Sequence, residues 1–181
     1  MEVLKCTILS LFVLLLSQFS VAQDARSEAF AKSYEYEGTK QYDNAINALL
    51  SLKSDIYAVN LRLGWLYYNK GDYKTAMSHY AKSIQLRPTS IEARLGYVLP
   101  AAKLKLWDKV GGQYDAILKI DPNNSKANYY RGLMYYNVGE YSKASQYLDR
   151  IESLYPFDYD IVILSAWNSY FLNKKEKAKK L

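Results

Sequence analysis

Leu63-Gly64-Trp65-Leu66-Tyr67-Tyr68-Asn69-Lys70-Gly71-Asp72-Tyr73 reads as the end of one apolar helix, a tight turn and the start of another. Gly71 supplies the positive φ that closes a helix at low cost. After the turn, Tyr73, Ala76, Met77, Tyr80 and Ile84 recur at helical spacing. The same arrangement returns in Gly132, Leu133, Met134, Tyr135, Tyr136, Gly139, Tyr141 and Ala144. The prolines set the interval: Pro88, Pro122 and Pro156 are separated by 34 residues each. Fifteen residues before each stand Tyr73, Trp107 and Tyr141; twelve before, Ala76, Val110 and Ala144; eight before, Tyr80, Tyr114 and Leu148. A period of this length is the signature of a helical solenoid.

Composition agrees. The 181 residues include 19 Tyr but only 8 Gly and 4 Pro, which favours long helices over a turn-rich β-sandwich. Gly64 and Gly132 fall inside first helices, where glycine costs about 1 kcal/mol relative to alanine. Paired with Ala76 and Ala144, they let two helices approach closely. Enlarging Gly64 to Leu is expected to overpack that crossing, at roughly 1–3 kcal/mol.

These residues resemble the tetratricopeptide repeat family. Leu63-Gly64, Tyr67, Gly71, Tyr73, Ala76, Tyr80 and Pro88 match its pattern, and Gly132, Tyr135, Gly139, Tyr141, Ala144 and Pro156 match it again. The unit between is degenerate, with Trp107, Tyr114 and Pro122 in place but Val98 at the small-residue position. Tyr36, Tyr42, Ala45 and Leu49 mark an N-terminal unit, and Tyr159, Ala166 and Ala178 a fifth. The expected organisation is 26–56, 57–90, 91–124, 125–158 and a partial 159–181. The resemblance implies an all-α solenoid of antiparallel helix pairs in a right-handed superhelix, with a concave groove that holds other proteins. It implies no chemistry.

Residues 1–22 read as an address. Cys6 to Ala22 carries no charge, and Ser20-Val21-Ala22 places small residues where a signal-peptide cleavage site needs them. The expectation is export with cleavage after Ala22, to a bacterial periplasm or cell surface. A retained membrane anchor is the alternative reading. The lone Cys6 excludes an intramolecular disulfide, and one histidine excludes a multi-histidine metal centre.

Little else suggests catalysis. His79 has no identifiable nucleophile beside it and reads as a packed helix residue. Gly111-Gly112 lacks the lysine and spacing of a phosphate loop. Asn123-Asn124-Ser125 matches a glycosylation acceptor in a turn that favours asparagine on conformational grounds. The net charge of +6 is concentrated: residues 174–181 hold five lysines against Glu176, without interleaved aromatics, and read as a solvated helix face. No nucleic acid, cofactor or metal is expected. Membrane contact requires residues 1–22 to stay attached. Pro100 falls inside an expected first helix and should kink it or delay its start.

Helical spacing shows a further apolar stripe on the first helices, and the resemblance implies that this stripe lines the groove. Leu61, Trp65 and Tyr68 fall at i, i+4 and i+7, and Tyr129, Leu133, Tyr136 and Ile163, Trp167, Tyr170 repeat the arrangement. Phe30, Tyr34, Leu95 and Leu99 are further groove-facing candidates in place of the Lys and Asn residues of a carboxylate clamp. The expected function is a non-enzymatic scaffold for a protein or peptide segment, with the partial terminal repeat offering a surface for self-association.

Overall fold

A computed structural model describes residues 23–181; the expected leader or anchor at 1–22 lies outside the described residues. Ten helices and no strand occur among the described residues. Residues 23–38 form α1. There follow α2 (Tyr42–Leu50), α3 (Tyr57–Lys70), α4 (Tyr73–Leu86), α5 (Ile91–Lys103) and α6 (Trp107–Ile120). The series ends with α7 (Ser125–Asn137), α8 (Tyr141–Leu154), α9 (Tyr159–Phe171) and the short α10 (Lys175–Lys180). Each helix packs against the next in the chain. Alternate helices also touch, α3 with α5 and α7 with α9, so the odd-numbered helices stand side by side. This is an α-solenoid of helix pairs.

The 34-residue period governs details beyond the apolar pattern. The turns inside the pairs place Lys40, Gly71, Lys105, Gly139 and Asn173 at positive φ. Ser90, Asn124 and Asp158, spaced by 34, cap α5, α7 and α9 by accepting from the N–H groups of Ala93, Ala127 and Ile161, each at 3.1 Å. A second polar series lies four residues further on. Asn60 donates to the Ser54 carbonyl at 2.6 Å, Arg94 to the Pro88 carbonyl at 2.7 Å and Asn128 to the Pro122 carbonyl at 2.9 Å. Each of these bonds pins the loop before a first helix to that helix by occupying one of its backbone acceptors.

The core runs along the stack in three clusters. Leu49, Val59 and Leu66 centre the first, Ala101, Tyr114 and Ile117 the second, and Ala144, Leu148 and Ile151 the third. The close approach expected at Gly64 is present: a Cβ there would stand 2.9 Å from Cγ of Tyr80. At Gly132 it would stand 2.7 Å from Cδ2 of Leu148.

In the degenerate unit Val98 holds the small-residue position and is buried in the second core cluster. A separate close approach lies between pairs: a Cβ at Gly96 would fall 2.2 Å from Cε1 of Tyr80, the ring of the preceding pair that also meets Gly64. One expectation needs correction: Pro100 does not delay α5. The helix starts at Ile91 behind its Ser90 cap and continues through Pro100 to Lys103. Pro100 lies in the last turn, fully buried where the preceding pair carries Leu66. The proline thus acts as a core residue, and the helix ends before more than one bond is lost.

Candidate functional site

The first three odd-numbered helices enclose a cleft of about 370 Å³. Helix α1 contributes Phe30 and Tyr34, α3 contributes Leu61, Arg62 and Trp65, and α5 contributes Glu92, Gly96 and Leu99. The floor is the ring of Tyr80, reached from α4 through the gap that Gly64 and Gly96 leave. Burial pushes the Tyr80 phenol well above its ordinary range, with Tyr68 and Glu92 adding to the effect. The hydroxyl therefore stays neutral.

A polar bridge holds one wall. Arg62 is buried, and its guanidinium donates to Glu37 at 2.6 Å and to the hydroxyl and carbonyl of Ser33, both at 3.3 Å. It also lies 3.8 Å above the Tyr34 ring, a cation–π contact. The other Glu37 oxygen accepts from the Trp65 indole N–H at 2.5 Å. Glu37 thus neutralises the arginine and fixes the indole in one orientation. Spacing at 34 residues could not have found this bridge, because Gly96 and Tyr130 stand where the next two units would need Arg62. The signal in the sequence is the charge itself, alone among Leu61, Leu63, Trp65 and Leu66.

The stripe residues divide into two groups. Leu61 and Trp65 line the cleft, and Tyr68 stands beside Trp65 with ring centroids 6.1 Å apart. Tyr129, Leu133 and Tyr136 are half-buried against the third core cluster. Ile163, Trp167 and Tyr170 are exposed on α9, and Trp167 and Tyr170 join a run of touching rings. In that run, Phe171 stacks on Tyr141 at 4.8 Å and meets Tyr136 at 6.0 Å. Leu95 packs into the middle core and does not line the cleft.

A second hollow of about 350 Å³ lies between α6 and α7, beside Trp107, Gly111, Gly112 and Val138. Its one cation is already engaged. Arg131 makes a two-point contact with Asp115 at 2.8 and 3.0 Å and a bond to the Tyr135 hydroxyl at 2.9 Å. Among the described residues, no group of three His, Cys, Asp or Glu side chains could hold a metal ion. The C-terminal lysines are partly tied back, since Lys177 reaches Asp149 at 2.8 Å and Glu152 at 3.1 Å.

His79 serves as a packing group. Its ring stacks on Tyr67 at 5.3 Å, and Nδ1 pairs with Oδ1 of Asn60 at 3.1 Å. Burial lowers its pKa from the ordinary 6.5, so the ring is neutral at pH 7. The unfolded chain protonates this histidine more readily than the folded one. Its stabilisation is therefore complete above about pH 6.5 and is lost as pH falls below that value. Thermal unfolding followed between neutral pH and about pH 5 should show this slope, and the His79→Gln variant a shallower one. Equal slopes would mean that the ring is hydrated in the folded state.

The arrangement defines a class: a helical-repeat protein whose first three odd-numbered helices line a cleft. Two tetratricopeptide repeat models match the chain, over residues 57–90 and 113–146. The second frame begins inside α6 and ends in α8, a shifted reading of the same period. This is a tetratricopeptide repeat protein, and such repeats form protein–protein interaction scaffolds. The chain is 26% identical over 111 residues to the RNA polymerase-associated protein CTR9 of Caenorhabditis elegans, covering 60% of this chain and 10% of that protein. It therefore spans about a tenth of that relative's length. Among solved structures, a tetratricopeptide repeat protein from Parabacteroides merdae superposes with a TM-score of 0.76 at 19% identity, covering 87% of this chain and 64% of that one. The MamA protein superposes at 0.74 and 19% identity, covering 87% of this chain and 88% of its own. At these identities the likeness is one of fold.

Proposed function

We propose that this chain is an exported, non-catalytic scaffold that holds an extended or helical protein segment in its concave groove, anchored in the cleft between α1, α3 and α5. The observation that carries the reading is Trp65. It is 40% exposed at the cleft mouth, yet Glu37 locks its indole, so a ligand meets a large aromatic surface with little rotamer entropy left to lose. Phe30, Tyr34, Leu61 and Leu99 surround it with apolar surface. The partner chemistry that fits is a bulky apolar side chain. A terminal carboxylate does not fit, because the one buried cation of the cleft is already neutralised.

The test starts from peptides selected on the purified chain from a random library. Trp65→Ala should weaken their binding by at least about 2 kcal/mol, the scale of an interface hot spot. It should damage folding less than truncation of Tyr67, which packs against the first core. If Trp65→Ala unfolds as readily as Tyr67→Ala, the residue is core and the groove reading fails. Export rests on the uncharged run at residues 7–22 and the small residues before Gln23. No described helix is long and apolar enough to cross a membrane. An intact mass beginning at Gln23 supports this reading, while a form retaining residues 1–22 supports a tethered scaffold.

A further inference from the structure

Tyr80 crosses from the even-numbered helices to the odd-numbered ones. Its ring starts from α4 with Cγ over Gly64 of α3, runs under Gly96 of α5 with Cε1 and Cζ, and ends at the cleft. One period on, Tyr130 takes the place of Gly96 and stacks on Tyr114 at 5.7 Å, so the passage is particular to this cleft. Tyr80 is only 3% exposed, and its hydroxyl makes no hydrogen bond among the described residues. Phenylalanine would fill the same space, and a buried hydroxyl without a partner costs free energy. Here the group lines a cavity that can bring it one.

The charges of the cleft do not cancel. Arg62 is matched by Glu37 at 2.6 Å. Glu92, in the first turn of α5, also lines the cleft. It accepts from the Tyr57 hydroxyl at 3.4 Å and pairs with no cation among the described residues. After burial and Tyr68, Glu92 is the influence that keeps the Tyr80 hydroxyl protonated, so its carboxylate lies within electrostatic reach of that group. With Arg62 and Glu37 balanced, the charge of Glu92 is left over among the rings of Phe30, Tyr34, Trp65 and Tyr80. Aromatic faces beside a carboxylate suit a cation. The cleft already holds one guanidinium in this way, Arg62 over Tyr34 at 3.8 Å, and the exposed Trp65 indole offers surface for a second.

We propose that the segment held in this cleft carries an arginine beside its apolar anchor, its guanidinium lying against Trp65, donating to the Tyr80 hydroxyl and pairing with Glu92. A guanidinium suits the site better than an ammonium, because its planar fork reaches two acceptors at once and stacks on an indole. The inference rests on the groove reading and adds to it the charge of the ligand.

The probes are peptides selected on the purified full chain from a random library, with binding read by titration calorimetry. Those that Trp65→Ala no longer binds should carry an arginine. Citrulline, its neutral isostere, should raise the dissociation constant at least about tenfold in its place. On Glu92→Gln the same exchange should matter less than about threefold, and lysine for arginine should weaken wild-type binding about fivefold. Tyr80→Phe should weaken the arginine peptides about fivefold without lowering the urea midpoint, since it deletes a hydroxyl that bonds to nothing in the free chain. Trp65-dependent peptides without arginine, citrulline or lysine peptides that bind as tightly, or an undiminished preference on Glu92→Gln would each overturn the inference and leave the groove reading in place. If no selected peptide depends on Trp65, the groove reading fails and this inference with it.

Discussion

Replacing Gly96 with alanine should lower stability by about 3 kcal/mol, although alanine is the better helix former by about 1 kcal/mol. The added methyl would sit 2.2 Å from Cε1 of Tyr80 and 2.6 Å from Cδ1, well inside any real contact. The ring cannot retreat, because its other face lies against Gly64, where a Cβ would stand 2.9 Å from Cγ. Gly64→Ala should cost less, since its contacts are longer. Urea unfolding of both variants checks the order, analysed with nearest-neighbour coupling between units. In the Tyr80→Leu background the Gly96→Ala penalty should shrink by more than half, a coupling that identifies the ring as the obstacle. If Gly96→Ala is as stable as wild type, the close packing of α4 between α3 and α5 is wrong.

Truncating Glu37 to alanine should cost about 3 kcal/mol, although the residue lies partly in solvent. The loss comes from what it strands. Arg62 is only 8% exposed, and without Glu37 its guanidinium keeps two acceptors, both on Ser33 at 3.3 Å. Breaking a buried pair costs about 3–5 kcal/mol because a charge is left without compensation. The 23% exposure of Glu37 admits some water and puts this case at the lower end. Removing both charges, as Glu37→Ala with Arg62→Met, should recover most of the loss. The single variant should also free the Trp65 indole, visible as faster side-chain motion in its fluorescence anisotropy. If the single and double variants are equally unstable, the bridge contributes shape and its charge pairing does not matter.

The fold was legible because the chain repeats itself. Pro88, Pro122 and Pro156, with the aromatics and small residues in step, specify helix pairs at every unit, and the turns fall where Gly71 and Gly139 put them. The site was legible only in part, for the same reason. A shared period says which residues of each odd-numbered helix share a stripe, and Leu61 and Trp65 line one cleft. It says nothing of side chains that occur once. Arg62, Glu37 and Ser33 build the wall of the cleft from residues with no counterpart in other units, and Gly96 lies two places off the periodic position held by Val98. Tyr129, Leu133 and Tyr136 share the stripe of Leu61, Trp65 and Tyr68, yet in the fourth unit α8 and α9 partly cover them. Helical spacing fixes direction, while exposure depends on the neighbour.

The bonds from Asn60, Arg94 and Asn128 back to the carbonyls six residues earlier bear on how such a chain is made. Each latch joins the loop that closes one unit to the first helix of the next. A segment cut ahead of those loops, and not at the unit boundaries, would therefore carry its own fastening, and a copy inserted in register would arrive with its entrance already shaped. Gene duplication in steps of 34 codons needs only that a new unit match its neighbours' apolar faces. The fifth unit has Val162 where the latch residue would stand, and relies on the Asp158 cap alone. The described array is thus a line of units each fastened to the loop of the one before, with the fifth held by its cap and its packing.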